Sequence, residues 1–86
     1  MDSYRIEWRN STRRDLRRIA REHVSRIIAA VDALAYEPRP AGCTKLSGSE
    51  RAYRIRVGDY RIIYEVFDDT VYVEIVKVGH RRDVYR

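Results

Sequence analysis

The chain has 86 residues and one cysteine, and its 18 Lys+Arg outweigh 13 Asp+Glu for a net charge of +5. That length allows one domain with a single modest core, and one cysteine excludes an internal disulfide or a multi-cysteine metal site and fits a reducing compartment. No apolar run approaches the roughly 18 residues of a membrane span and the N-terminus lacks the apolar core of a signal peptide, so a cytoplasmic protein is expected.

The first element is "SYRIEWR", where Tyr4, Ile6 and Trp8 alternate with Arg5, Glu7 and Arg9, a half-buried strand over residues 3 to 9. Asn10, Ser11 and Thr12 stop it. Thr12 with Asp15 reads as a capping box, with Ser11 as an equally good cap, and Leu16, Ile19 and Ala20 give the following helix an apolar stripe. Arg13, Arg14, Arg17, Arg18 and Arg21 fall on the opposite side of that helix. With no acid on that side of the helix they repel one another, so an anionic partner explains them better than a solvated face does. A second helix is expected from His23 to Tyr36, its core side made by Val24, Ile27, Ile28, Val31, Leu34 and Ala35. Pro38 and Pro40 end it, and residues 37 to 50 form a loop that carries Lys45 towards the sheet.

The stretch "AYRIRVGDYRIIYEV", residues 52 to 66, is a hairpin turned at Gly58-Asp59. Its expected register sets Val57 against Tyr60, Ile55 against Ile62 and Tyr53 against Tyr64 on a core face, with Arg56 opposite Arg61 on the other. Like charges so placed are tolerated when water screens them or when an anion sits between them. Asp68-Asp69 marks a further turn, and "TVYVEIVKV" reads as a central strand apolar on both faces at Val71, Val73, Ile75, Val76 and Val78. The order gives an α+β fold, β-α-α-β-β-β: two helices on one face of a four-stranded, mostly antiparallel sheet, with strand 1 beside the last strand and the other face open. The whole chain is one domain.

Chemistry is narrowed by elimination. Only His23 and His80 exist, so no Cys and His set has metal-ligand spacing, and there is no phosphate-cradling Gly-rich loop or Ser-His-acid set. Arginine makes up 16 of the 18 bases. Its planar fork grips phosphate bidentately and stacks on bases, which points to nucleic acid. A patch of Arg, Lys, His and Tyr can bind a phosphodiester. In RNA it can also break one, with a base taking the 2′-hydroxyl proton, cations stabilising the phosphorane-like charge and an acid protonating the leaving oxygen.

Three segments together resemble the RelE/ParE superfamily of bacterial toxins, more specifically its RelE-like ribonuclease branch: the basic helix after the first strand, "PRPAGCTKLSGSERAYRIRVGDYRIIYEV" and "VYVEIVKVGHRRDVY". The resemblance implies a ribosome-dependent mRNA interferase that cuts in the ribosomal A site and leaves a cyclic phosphate. It needs no metal or cofactor. Its partners would be mRNA, the ribosome and a cognate RelB-like antitoxin that holds it inactive in a hetero-oligomer. Carried over by position, Arg61, Arg81 and Tyr85 are catalytic, Lys45, Arg54 and Arg56 bind substrate, and Arg13, Arg14, Arg17, Arg18 and Arg21 grip ribosomal RNA. The family's lysines are replaced here by Arg54 and Arg56, which stay protonated and cannot act as a base. His80 is then the most suitable titrating group, or else an exposed histidine at a strand end. Tyr85 either stacks on a base, takes the hydroxyl proton or packs the tail; Arg61 and Arg81 contact phosphate or pair with Glu65 and Asp83. The other classes kept open are a noncatalytic, gyrase-binding ParE-like toxin and an inactive RNA- or antitoxin-binding member.

Overall fold

The computed structural model describes residues 3–84. Its elements are β1 (Arg5–Trp8), α1 (Asn10–Arg17), α2 (Arg21–Ala33), β2 (Thr44–Lys45), β3 (Ala52–Val57), β4 (Tyr60–Phe67) and β5 (Tyr72–His80). One sheet holds all the strands in the order β1-β5-β4-β3-β2, with β1 parallel to β5 and the other pairs antiparallel. Two helices cover one face, as the pattern of elements predicts. The fifth strand is new: Thr44 and Lys45 leave the Pro- and Gly-rich loop just long enough to pair with Arg54 and Tyr53. Two residues carry no readable alternation.

The core forms where α2 lies on the sheet. Ile27, Val31 and Leu34, at helical spacing, meet Ile55, Ile62, Tyr64, Val66, Val73, Ile75 and Val78, none more than 7 % exposed. Burying each aliphatic side chain stabilises the fold by about 1.5–3 kcal/mol. Tyr64 is enclosed, and its hydroxyl donates to the Pro38 carbonyl at 2.7 Å. Burial, and then the neighbouring Cys43, push its phenol well above the ordinary range.

The hairpin has the expected register, with Val57 paired to Tyr60, Ile55 to Ile62, Tyr53 to Tyr64 and Arg56 to Arg61. Gly58 takes φ +59 at its turn, where an L side chain is strained. The last strand differs from expectation. Ile63 pairs with Lys77 but Tyr64 pairs with Ile75, so Val76 is an extra residue, a bulge. Val73 and Ile75 face the core before it and Val78 after it, so the run is apolar because its alternation slips, not because both faces are buried. Val71 precedes the strand with φ +55 and is 39 % exposed.

The helices also depart from the reading. No side chain caps either N-terminus; Thr12 is fully buried and its hydroxyl donates to the Arg9 carbonyl. Asp15 has a different partner. β1 stops pairing with β5 at Trp8 and Ile75, which leaves the next edge amide of β5 without a strand neighbour, and the Asp15 carboxylate accepts the Val78 N–H at 3.1 Å. α1 ends at Arg17, one turn early, because the half-buried Ile19 turns towards the core before α2 begins at Arg21. The five arginines therefore do not share one helix: Arg13, Arg14 and Arg17 are on α1, Arg18 is its C-cap and Arg21 opens α2.

Candidate functional site

Residues paired across a sheet project from the same face, so the registers map the helix-free surface. Arg56, Arg61 and Gly79 make one row beside the hairpin turn, and Thr44, Arg54, Ile63 and Lys77 make the next. Ala52, Glu65, Glu74 and Glu7 form a third row, and Phe67, Tyr72 and Arg5 a fourth. The face is thus basic at the turn, acidic across its middle and aromatic at its far end. The acidic row is partly answered by Arg9, which donates to Glu74 at 3.2 and 3.3 Å. Phe67 and Tyr72 stack at 4.4 Å with Arg51 and Arg5 over their outer sides.

The like-charged pair Arg56 and Arg61 is relieved by backbone dipoles. Arg61 Nη1 donates to the carbonyls of Gly58 and Tyr60, both at 3.1 Å, which draws its guanidinium to the turn rather than to Glu65. Arg54 Nη2 donates to Thr44 Oγ1 at 3.4 Å. Arg56 stays exposed and forms no ion pair among the described residues. Gly79 adds no side chain of its own to the row, and the buried Val84 packs where one would be, its Cα 3.6 Å from the place of a Gly79 Cβ. A phosphate approaching this row meets Arg61, held at the turn, beside the exposed Arg56.

Of the other expected site residues, Arg81 is exposed at the hairpin tip, where its N–H donates to the Asp59 carbonyl at 2.8 Å. His80 is not on the arginine face. It pairs with Tyr60, and their rings meet edge-on at 5.7 Å while Tyr60 touches His23 of α2 at 5.3 Å, all on the helix side. Lys45 pairs with Tyr53 and so shares the helix-side pleat, apart from Arg54 and Arg56. Tyr85 lies outside the described residues. Arg13, Arg14, Arg17, Arg18 and Arg21 are all exposed, without an ion pair among the described residues. Lys77, opposite Ile63 on the basic face, was missed. Its signal was the adjacent pair Ile75-Val76 inside an alternating strand, the mark of a bulge that moves Lys77 to the open side.

Two further features frame the site. Arg39 clamps the loop after α2: its guanidinium donates to Asp68 at 2.6 and 3.3 Å and to the Tyr53 hydroxyl at 3.0 Å, while Tyr4 donates to Asp68 at 2.7 Å. Those bonds, Arg39 first, hold the Asp68 carboxyl below its usual range and the same contact raises the Tyr4 phenol. Beside this loop is an apolar trough of about 580 Å³ between Ala30 and Ala33 of α2, Leu34 at its C-terminus, and Ile55 and Arg56 of β3. β2 covers β3 only at Tyr53 and Arg54, so the outer edge of β3 beyond Arg54 has no strand neighbour among the described residues.

A family model described as the ParE toxin of the type II toxin–antitoxin system parDE matches residues 6–85. The toxin RelG of Mycobacterium tuberculosis is 32 % identical over 88 residues, which cover 96 % of this chain and 97 % of that one. The RelE–RelB complex of Pyrococcus horikoshii has a toxin-like chain that superposes with a TM-score of 0.82 at 31 % identity, covering 94 % of this chain and 98 % of that one. The M. tuberculosis toxin–antitoxin complex RelBE2 gives 0.79 at 26 % identity, covering 92 % and 99 %. The chain is a member of the RelE/ParE superfamily of toxins from type II toxin–antitoxin systems.

Proposed function

We propose that this toxin is a ribosome-dependent endoribonuclease that cuts mRNA in the ribosomal A site by attack of a 2′-hydroxyl on the adjacent phosphorus. The observation that carries the reading is the row of Arg56 and Arg61, with Arg54 and Lys77 beside it, on a sheet face that no helix covers. In the reaction the 2′-oxygen loses its proton and bonds to phosphorus, and the 5′-oxygen leaves with a proton. The products are a 2′,3′-cyclic phosphate and a 5′-hydroxyl. The guanidinium groups of Arg54, Arg56 and Arg61 hold the phosphate and stabilise the charge that develops on it. None of them can exchange the proton. Among the described residues Lys77 is the one cation on this face that can, and it takes the general base or acid role with Tyr85 as its counterpart. His80, on the other side of the sheet, has no part in this step. Arg81 at the hairpin tip meets a flanking phosphate, and Arg13, Arg14, Arg17, Arg18 and Arg21 bind ribosomal RNA by charge.

A cognate antitoxin inhibits it. The similar solved toxins from P. horikoshii and M. tuberculosis are in complexes with their antitoxins. Here the apolar trough and the open edge of β3 suit an amphipathic segment that adds a strand, with acidic residues set against Arg56.

The test is in vitro translation of a defined mRNA with purified toxin, mapping new 5′ ends by primer extension, with naked mRNA as control. Cuts that need the ribosome and disappear in Arg61→Ala support the reading. Intact mRNA together with inhibited DNA supercoiling would replace it by the gyrase-binding one, which the parDE family match keeps in view.

A further inference from the structure

On the helix side of the hairpin tip, His23, Arg26, Gly58, Asp59, Tyr60 and His80 line a notch of about 260 Å³. Its rings do not lie flat on one another: His23 and Tyr60 are 43° apart at 5.3 Å, and Tyr60 and His80 84° apart at 5.7 Å. Tilted and edge-on contacts of this kind leave ring faces for a fourth ring. The notch is smaller than the roughly 300–1,000 Å³ typical of whole small-molecule pockets and suits one ring system. Its lining holds one guanidinium, Arg26, and one carboxylate, Asp59, whose charges offset each other for a phosphate. A neutral heteroaromatic ring edged with carbonyl and amino groups is matched by both.

The notch and the arginine face lie on opposite sides of the hairpin tip. The Gly58–Asp59 turn is the wall between them: Arg61 reaches its Gly58 carbonyl from the open side, and the Arg81 N–H is bound to Asp59. Gly58 puts no side chain in the way, with nothing within 4 Å of where its Cβ would be. A single strand whose phosphates follow Arg56, Arg61 and Arg81 therefore reaches the notch by crossing one tight turn. We infer that the notch receives an unstacked nucleobase of the bound RNA, one that flanks the nucleotides on the arginine face, with His23, Tyr60 and His80 as its stacking surfaces. This rests on the RNA-binding reading above and adds to it a site that reads a base.

The experiment is a titration of the full-length toxin with a 2′-O-methyl RNA pentanucleotide, which cannot be cleaved, followed by NMR of the histidine and tyrosine rings and of the arginine side chains. An abasic oligonucleotide of equal length is the control. The base-bearing RNA is expected to shift the rings of His23, Tyr60 and His80 and the guanidinium signals of Arg56 and Arg61, while the abasic one shifts only the guanidinium signals. His23→Ala and His80→Ala, checked for unchanged melting, should each weaken binding about tenfold, as loss of a base stack does. Rings that respond equally to the abasic strand would make the notch an anion site and overturn the inference. Arginine signals that move while the rings stay still would overturn it and leave the RNA reading standing. If neither set moves, both fail. Ring shifts alongside mRNA left uncut in translation would keep the notch and remove the nuclease.

Discussion

Replacing Asp15 by Ala tests how the basic helix is fixed to the sheet. The Asp15 carboxylate accepts the N–H of Val78, a residue 2 % exposed, at the point where β1 has ceased to pair with β5. Removing it loses a hydrogen bond to a charged group, about 1.5–3 kcal/mol, and leaves the amide with no protein partner. A domain of this size has a total stability of about 4–13 kcal/mol at 0.05–0.15 kcal/mol per residue, so a loss of about 2 kcal/mol is a large fraction. It lowers Tm by about 8–16 °C on the usual scaling for small domains. Asp15→Asn keeps an acceptor oxygen at the same reach and should lose about half as much. Urea unfolding followed by circular dichroism gives the energies, and native-state hydrogen exchange of the Val78 amide gives the local cause. Asp15→Ala within 0.5 kcal/mol of the parent, with Val78 equally protected, would refute the reasoning, because the contact would then carry nothing that water cannot replace.

The remaining predictions concern charge, strain and chemistry. Arg39 and Tyr4 depress the Asp68 carboxyl in the folded state, so its stabilisation is present above the unfolded value near 3.8 and is lost as pH falls through the lower folded value. Urea unfolding at a series of pH values should show the parent's advantage over Asp68→Asn constant above about pH 5 and shrinking below about pH 4. Val71 holds φ +55, a strained conformation for a β-branched residue, so Val71→Asn should stabilise the protein by about 1 kcal/mol and raise Tm by several degrees in a thermal melt. Lys77→Arg keeps the charge but cannot exchange a proton, so ribosome-bound cleavage should fall at least about 100-fold while affinity for uncleavable RNA is retained.

Much of the fold could be read because the sequence is locally consistent. Tyr53, Ile55 and Val57 alternate cleanly with Arg54 and Arg56, and Gly58 fixes the turn, so the register and the opposed arginines follow from the pattern alone. The last strand hid its geometry, because one extra residue, Val76, reverses which side every later residue faces. That single slip is why the pattern does not single out Lys77 and why it sets His80 with arginines that lie on the other side of the sheet. Helical spacing likewise united five arginines that a turn at Arg18 to Ala20 divides, since periodicity does not register where a short helix stops. Asp15 looked like a capping residue because its offset from Thr12 is right, but an unpaired edge amide of β5 was the stronger claim on its carboxylate. The side on which Lys45 lies is set through its partner Tyr53 in a two-residue strand, which no local signal reveals.

The most direct measurement of the central claim is the single-turnover rate of mRNA cleavage on programmed ribosomes at saturating toxin, comparing Arg61→Ala with the combined variant Arg13→Ala, Arg14→Ala and Arg17→Ala. If the arginine row stabilises the transition state and α1 only binds ribosomal RNA, Arg61→Ala lowers the saturated rate about 10²–10³-fold, the size of one lost charge-stabilising donor. The α1 variant then requires more toxin to saturate but reaches the parental rate. A saturated rate unchanged in Arg61→Ala and abolished in the α1 variant would contradict the account and move the chemistry off the sheet.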